Sequence, residues 1–190
     1  MFQGWDSVFQ ITGEASATLV GLLFLVVSFS ESRDRDQLLR AVSIYLTPSA
    51  LHFAIVLSIS VLAVAPRLPV AIRTGLIGLA ALTGLGNSIW ACIGVRLRAR
   101  IAGLAHWSDF WMYGVAPTAI YLGLAATTAA LWASADWAAP TMAVLVLALL
   151  LLGVRNAWDL VTWMAPQRGG GSAGASGDGA AGGGVGADTP

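Results

Sequence analysis

The sequence predicts an all-α fold, an integral membrane helical bundle with about five transmembrane helices. Hydrophobic residues make up 57% of the 190 residues and charged residues only 11%, with a mean hydropathy of +0.76. A soluble domain carries roughly 25% charged residues, so this chain lacks the charge to coat a water-facing surface. The apolar residues also form long blocks, and about 20 apolar residues suffice for a helix to cross the hydrocarbon core.

Five spans are predicted within a transmembrane domain covering residues 1–166. A charged loop follows the first span, and the second ends at the prolines of the turn Pro66–Pro69. Between spans three and four, the segment Arg96–Phe110 has the spacing of a short amphipathic surface helix or of an extension of span three. The helical pattern of span five continues past its predicted end to Trp163. We place the spans at 9–30, 41–65, 70–95, 111–133 and 138–156.

The C-terminal segment, residues 167–190, is rich in Gly and Ala and has no hydrophobic periodicity. Such a composition offers nothing to bury. We expect a disordered cytoplasmic tail.

The arginines and tryptophans predict an orientation with the N-terminus outside and the C-terminus in the cytoplasm. That orientation leaves only Arg67 and Arg73 on the outer side, and the other eight arginines fall on the inner side, as the positive-inside rule requires. Tryptophans fall near both predicted boundaries, as in an aromatic belt. The expected location is therefore the plasma (inner) membrane. The inner-side arginines are Arg33, Arg35, Arg40, Arg96, Arg98, Arg100, Arg155 and Arg168.

Three predicted helices carry small residues at four-residue steps, a spacing that permits close helix packing inside lipid. We number the predicted helices α1 (span 9–30) to α5 (span 138–156). The α1 stripe is formed by Gly13, Ala17 and Gly21, and the α3 stripe, in span 70–95, by Ala80, Gly84, Ser88 and Cys92. The fourth span carries Ala119, Gly123 and Thr127 at the same spacing. Such stripes serve either packing within the chain or an interface with a second copy or another membrane protein.

Span two carries His52 near its middle, one turn beyond Pro48, which frees a backbone carbonyl in a helix interior. An ionisable side chain at that depth suggests a functional site. The alternative is a neutral histidine that bonds to a neighbouring helix, with Asn87 and Tyr121 as candidate partners. Together Glu14, Pro48, His52 and Asn87 could form either a polar pathway or an interhelical hydrogen-bond network.

Glu14 lies early in span one, beside the α1 stripe. Facing the bundle interior, its carboxylate could bind a cation or pass a proton. Two other interpretations compete with this. The carboxylate could reach headgroup water near the helix N-terminus, or a neutral acid could bond to Ser58 or Ser60.

No catalytic, cofactor-binding or metal-binding residues are predicted. The sequence has no Lys for a phosphate-binding loop, a single cysteine and no HExxH motif. Its net charge is zero, which gives no reason to expect a nucleic-acid partner. Arg155 and Asp159 are four residues apart, the spacing of an interfacial ion pair. The expected partners are the lipid bilayer and a second copy or another membrane protein.

The first span has a familiar pattern. Trp5, Phe9 and the stretch GEASATLVGLLF at residues 13–24 resemble a family of small bacterial multi-pass membrane proteins whose first helix reads like G-x-A-x-A-L-x-G-L-L-F-V. Some relatives are labelled modulators of the FtsH protease. The resemblance implies a small helical membrane protein and supplies no catalytic or binding residue. Glu14 departs from the pattern, which has a small residue there.

These observations lead to two functional hypotheses. The first is a non-enzymatic accessory, regulatory or oligomeric protein that acts through helix–helix contacts. The alternative is a small channel or proton-coupled transporter that uses polar groups in spans one to three.

Overall fold

Every described element is helical. The computed structural model describes residues 2–28, 47–102 and 111–164, and these ranges contain five α-helices and no strand. A π-helical turn, Trp111–Val115, leads directly into the fourth helix. The predicted all-α class is confirmed. The helices are α1 (Asp6–Ser28), α2 (Thr47–Val64), α3 (Val70–Ala102), α4 (Ala116–Trp132) and α5 (Ala138–Met164).

Three of these helices are long and apolar enough to cross a membrane, judged by length and composition. The relevant segments are Asp6–Val26 of α1, Val70–Gly94 of α3 and Ala138–Asp159 of α5. The apolar segments of the other two helices are shorter, Ser49–Val64 in α2 and Ala116–Trp132 in α4.

Two helices extend beyond their predicted spans. The third runs on to Ala102, which favours the extension of span three over a separate surface helix. Neither proline nor glycine occurs from Arg96 to Ala102, so nothing in that segment breaks the helix. The fifth continues to Met164, shortly before Pro166. Parts of the predicted segments, namely 29–46, 103–110 and the tail 167–190, lie outside the described residues.

Two short turns join neighbouring helices at one end of the bundle, which we name the turn end; the opposite end is the far end. The predicted proline-bounded turn is present between α2 and α3, and Arg67 adopts a φ of 62° there. Arg73 donates a hydrogen bond of 2.6 Å from its guanidinium to the carbonyl of Ala65, beyond the last turn of α2. A cation at this position also stabilises the helix dipole. The second turn, between α4 and α5, contains Ser134 with a φ of 59°.

Four helices form a ring, and α1 packs against its outside. The ring runs through α2, α3, α4 and α5, each packed extensively on the next, and α5 packs back on α2. The first helix packs mainly on α2, with a smaller contact to α5. The helices α1 and α2 are antiparallel, because Thr12 contacts Ser60 whereas Ser16 contacts Phe53. The helices α3 and α4 are antiparallel as well, because Gly84 contacts Tyr121 whereas Cys92 contacts Gly114 just before α4. The turn end therefore also holds the start of α1.

Candidate functional site

A buried histidine and tyrosine connect opposite helices of the ring. His52 of α2 is 2% exposed and Tyr121 of α4 is fully buried, and 2.8 Å separates Nδ1 of the imidazole from the phenol oxygen. Of the two partners considered for His52, the structure selects Tyr121. The tyrosine hydroxyl and the imidazole nitrogen form a hydrogen bond across the interior, so each of these buried polar groups has a partner. We call this pair the His52–Tyr121 bridge.

The α3 stripe makes room for the bridge. The ring of Tyr121 lies directly against Gly84, where a Cβ atom would overlap the aromatic carbons. Two turns further along α3, Cys92 packs on Gly114 of the π-helical turn, with Sγ 3.1 Å from where a Cβ of Gly114 would lie. Ser88 lies between these contacts and is buried. Most of the α3 stripe therefore packs within the chain.

Three buried polar residues lie about one turn beyond the bridge, towards the far end. Gly153 packs on the ring of Phe53, next to His52, and Asn156 follows Gly153 by three residues. Ser88 follows Gly84 by four residues, and one helical turn rises about 5.4 Å. On the antiparallel α2, Ser49 precedes His52 by three residues. We name Ser49, Ser88 and Asn156 the polar layer; all three are buried.

Two members of the polar layer have no hydrogen-bond partner within the described chain. These are the hydroxyl of Ser88 and both polar atoms of the Asn156 side chain. Asn156 is completely buried and Ser88 is 2% exposed. Buried polar groups are almost always hydrogen-bonded, because leaving one unsatisfied costs free energy. Ser49 does have a partner.

One side of α1 is held to α2 by polar contacts. Thr12 and Ser60 hydroxyls are 3.1 Å apart, and the Ser16 hydroxyl donates to the carbonyl of Phe53 at 2.6 Å. Gly13 lies between them, with the Cβ of Ser60 3.0 Å from where its own Cβ would be. This close approach is the one that the α1 stripe makes within the chain.

The other side of α1 faces away from the bundle and is partly polar. Gln10 and Glu14 are both exposed, and the amide of Gln10 donates a hydrogen bond of 3.2 Å to the carboxylate. Thr18 is exposed and bonds to the backbone of its own helix. Ala17 and Gly21 are also exposed. We name Gln10, Glu14, Ala17, Thr18 and Gly21 the outward face of α1.

The structure separates the residues of the predicted polar pathway. His52 lies inside the ring, whereas Glu14 lies on the outward face and bonds to neither Ser58 nor Ser60. Asn87 is half-buried on α3, and Pro48 is the second residue of α2 as described. The predicted ion pair is present, with 3.9 Å between Arg155 and Asp159.

The sequence analysis singled out neither Gln10 nor Asn156. A usable signal existed for Asn156. It follows Leu149 by seven residues and Gly153 by three, so it continues the buried side of α5. No comparable signal marks Gln10, because the side of α1 that packs depends on α2.

The described residues can form hydrogen bonds within and between helices. Among them, no group of three His, Cys, Asp or Glu side chains could hold a metal ion. The geometry defines a helical bundle with three helices of transmembrane length. The chain matches no protein-family model, no curated protein and no solved structure.

Proposed function

We propose that this chain is a five-span protein of the plasma (inner) membrane that acts without catalysis, by associating with a second copy through the outward face of α1. The observation that carries the proposal is the exposed Gln10–Glu14 pair on a helix of transmembrane length. The N-terminus and the turn end would lie outside, and the C-terminus would lie in the cytoplasm.

The bundle surface supports insertion into lipid. Large apolar side chains are exposed on several helices, including Phe24, Leu79, Val144 and Leu151. Soluble proteins rarely expose extended apolar patches of this kind. Exposed tryptophans occur at both ends, Trp132 and Trp137 at the turn end and Trp111 and Trp158 towards the far end, as expected for two aromatic belts.

Within such a membrane the outward face of α1 would be unfavourable without a protein partner. Glu14 lies eight residues after the start of α1 and five residues after the predicted start of the span at residue 9, which is about 7.5 Å into the span. Ionisable side chains at membrane depth almost always face a protein interior or a water-filled cavity. Since Glu14 does not face the interior of its own bundle, we infer that another chain covers it.

The chemistry of this face suits a second copy. Two copies in one membrane share an orientation, so a two-fold axis along the membrane normal brings equal depths together. Gln10 supplies amide donors and Glu14 supplies acceptors, and each can reach the corresponding group of the other copy. Deeper along the helix, Ala17 and Gly21 would let the two backbones approach closely.

Disulfide crosslinking in isolated membranes tests this proposal. In a Cys92→Ala background, Ala17→Cys and Gly21→Cys should each give an oxidant-dependent dimer. Leu79→Cys and Leu151→Cys are controls on α3 and α5, since these side chains are 62% and 59% exposed and lie at comparable distances along their helices. Equal yields at all four positions, or no dimer at any of them, would refute self-association through α1.

The polar pair can be tested separately in the same assay. Glu14→Leu combined with Gln10→Leu should lower the dimer yield at Gly21→Cys, whereas Glu14→Gln retains hydrogen-bonding groups and should keep most of it. An unchanged yield in the double variant would mean that the pair does not contribute to association.

The channel or proton-coupled transporter has weaker support. A route for protons or ions needs polar groups at successive depths along one path. Glu14 and His52 face different surroundings in one copy, so no single described route within the bundle contains both.

A further inference from the structure

We propose that Ser88 and Asn156 form a buried site for a small neutral molecule that both donates and accepts hydrogen bonds, and that this molecule is water. The site lies in the polar layer, inside the ring and beyond the His52–Tyr121 bridge. It requires only the fold of a single chain, so it does not depend on self-association through α1.

Contacts on α5 direct Asn156 towards the ring interior. Leu145 packs on Gly123 of α4, and Gly153 packs on Phe53 of α2. Asn156 follows Leu145 by eleven residues, close to three full turns, and Gly153 by three. Around the axis of α5, Asn156 therefore lies between Leu145, which faces α4, and Gly153, which faces α2. The Asn156 side chain is completely buried.

Contacts on α3 direct Ser88 to the same region. Gly84 and Cys92, one turn before and one turn after it, pack on Tyr121 and Gly114 respectively. Ser88 is thus aligned with two residues that face α4 and its π-helical turn. Ser88 and Asn156 belong to helices that are not neighbours in the ring, so they approach the interior from different sides.

The unsatisfied atoms specify the chemistry of the occupant. Asn156 presents a carbonyl oxygen that accepts hydrogen bonds and an NH₂ group that donates two, and the hydroxyl of Ser88 does both. A metal cation could bind the two oxygens but would leave the NH₂ group unsatisfied. An anion would leave the carbonyl oxygen unsatisfied. Water satisfies both kinds of group, and a buried water typically makes about three hydrogen bonds to such atoms.

The interior changes character on the two sides of the bridge. Towards the turn end, fully buried apolar side chains fill the ring, among them Ile59, Ile77, Leu124 and Val146. Thr74 and Thr128 lie on the same side, and their hydroxyls bond to the backbone of their own helices. The polar layer lies on the other side. We therefore expect the His52–Tyr121 bridge to separate the hydrated polar layer from the apolar interior on the side of the turn end.

Infrared spectroscopy of an introduced thiol tests whether water reaches this layer. In a Cys92→Ala background, Ser88→Cys places a near-isosteric S–H group at the site, and its stretching band lies in an otherwise empty spectral window. Transfer of the folded protein in detergent from H₂O to D₂O should remove the S–H band within minutes. Ala81→Cys is the matched control, because Ala81 is fully buried on the same side of α3, two turns nearer the turn end.

The control thiol should keep its S–H band for hours under the same conditions. If Ala81→Cys does not fold, Ser60→Cys replaces it as the control, because Ser60 lies between α1 and α2 and is only 1% exposed. Loss of the band at Ser88→Cys alone supports the proposal. Exchange that is equally slow at Ser88→Cys and at the control overturns it, and so does exchange that is equally fast at both.

A double-mutant cycle in folding stability provides a second test. If one water bridges the two side chains, Asn156→Leu should lower the folding equilibrium constant about tenfold, because Ser88 and the water lose a partner. Adding Ser88→Ala should then cost less than it does in the parent protein. A dry site predicts the reverse, in which Asn156→Leu raises the folding constant and the two changes are additive. Stability that depends on sodium or potassium would indicate a cation and would also overturn the proposal.

Discussion

The α1 stripe and the α3 stripe have the same four-residue spacing but meet different neighbours. On α3, Gly84 packs against the ring of Tyr121 and Cys92 packs against Gly114. On α1, Gly13 approaches Ser60, whereas Ala17 and Gly21 are exposed. The difference arises from the opposing helix. A large side chain, fixed by its own hydrogen bond, fills the space next to α3, and no described element covers the outward face of α1.

Small-residue spacing therefore indicates that a helix can be approached closely, and the neighbouring side chains decide whether it is. The α3 stripe fits packing within the chain. Beyond Gly13, no described residue covers the α1 stripe. Substitutions at matched positions of the two stripes should separate these roles, because a change that is harmful to the fold on α3 should leave the fold intact on α1.

The largest expected effect is at Gly84. Gly84→Ala should lower the free energy of unfolding by about 3 kcal/mol, because its Cβ would overlap a buried ring in a packed interior. Tyr121 cannot easily move aside, since His52 holds its hydroxyl. Gly21→Ala is the control, with no atom within 4 Å of the new Cβ, and should be neutral or stabilise the helix by up to about 1 kcal/mol. Steric-trap unfolding in detergent measures both, and equal stabilities would contradict this packing of α3.

A second close approach involves α5. In the Gly153→Ala variant the new Cβ would lie 2.7 Å from Cε1 of Phe53, whose ring is fully buried. We therefore expect the free energy of unfolding to fall by about 2 kcal/mol. Gly86→Ala on α3 is the matched control because nothing lies within 4 Å of that position. Phe53→Leu in the Gly153→Ala background should recover part of the loss. If it does not, the strain lies elsewhere.

The His52–Tyr121 bridge should contribute less than these packing contacts. Tyr121→Phe removes the hydroxyl and leaves Nδ1 of a buried imidazole without that partner, at a cost of about 1.5 kcal/mol. In a His52→Leu background the same substitution should cost much less, because the imidazole is no longer there to lose a partner. Unfolding of the four proteins of this cycle gives the coupling between the two groups. Additive effects would mean that the hydrogen bond does not stabilise the fold.

The apolar blocks predicted the helices well, because a long apolar run forms a helix whether it is buried in protein or exposed to lipid. That prediction does not depend on which neighbours the helix has. The turn at Pro66–Pro69 was equally visible, since proline ends helices. The helices α3 and α5 run past the predicted spans, as the helical pattern after each span allowed. Arginines and polar residues at the ends of those spans lowered the local hydrophobicity, but they do not break a helix.

The site was harder to predict because it depends on how each helix is rotated about its axis. Tyr121 was one of two partners considered for His52, since both lie at similar depth, and only the packed structure selects it. From the sequence, Glu14 could have faced the bundle interior or its outside, because polar and apolar side chains are mixed on all sides of α1. Asn156 was overlooked, since two charged neighbours made its segment resemble a membrane boundary.

The smallest expected effect concerns the two sides of α1, whose substitutions should differ in their effect on the free energy of unfolding. Ser16→Ala removes a buried hydrogen bond to the carbonyl of Phe53 and should lower the free energy of unfolding by about 1 kcal/mol. Thr18→Ala, two residues later on the outward face, removes only an exposed bond to its own helix and should leave the monomer unchanged within about 0.5 kcal/mol. Unfolding should be measured at high detergent-to-protein ratio, so that association does not contribute. A larger loss at Thr18 than at Ser16 would mean that α1 is rotated differently on α2, and the assignment of Gln10 and Glu14 to an outward face would fail with it.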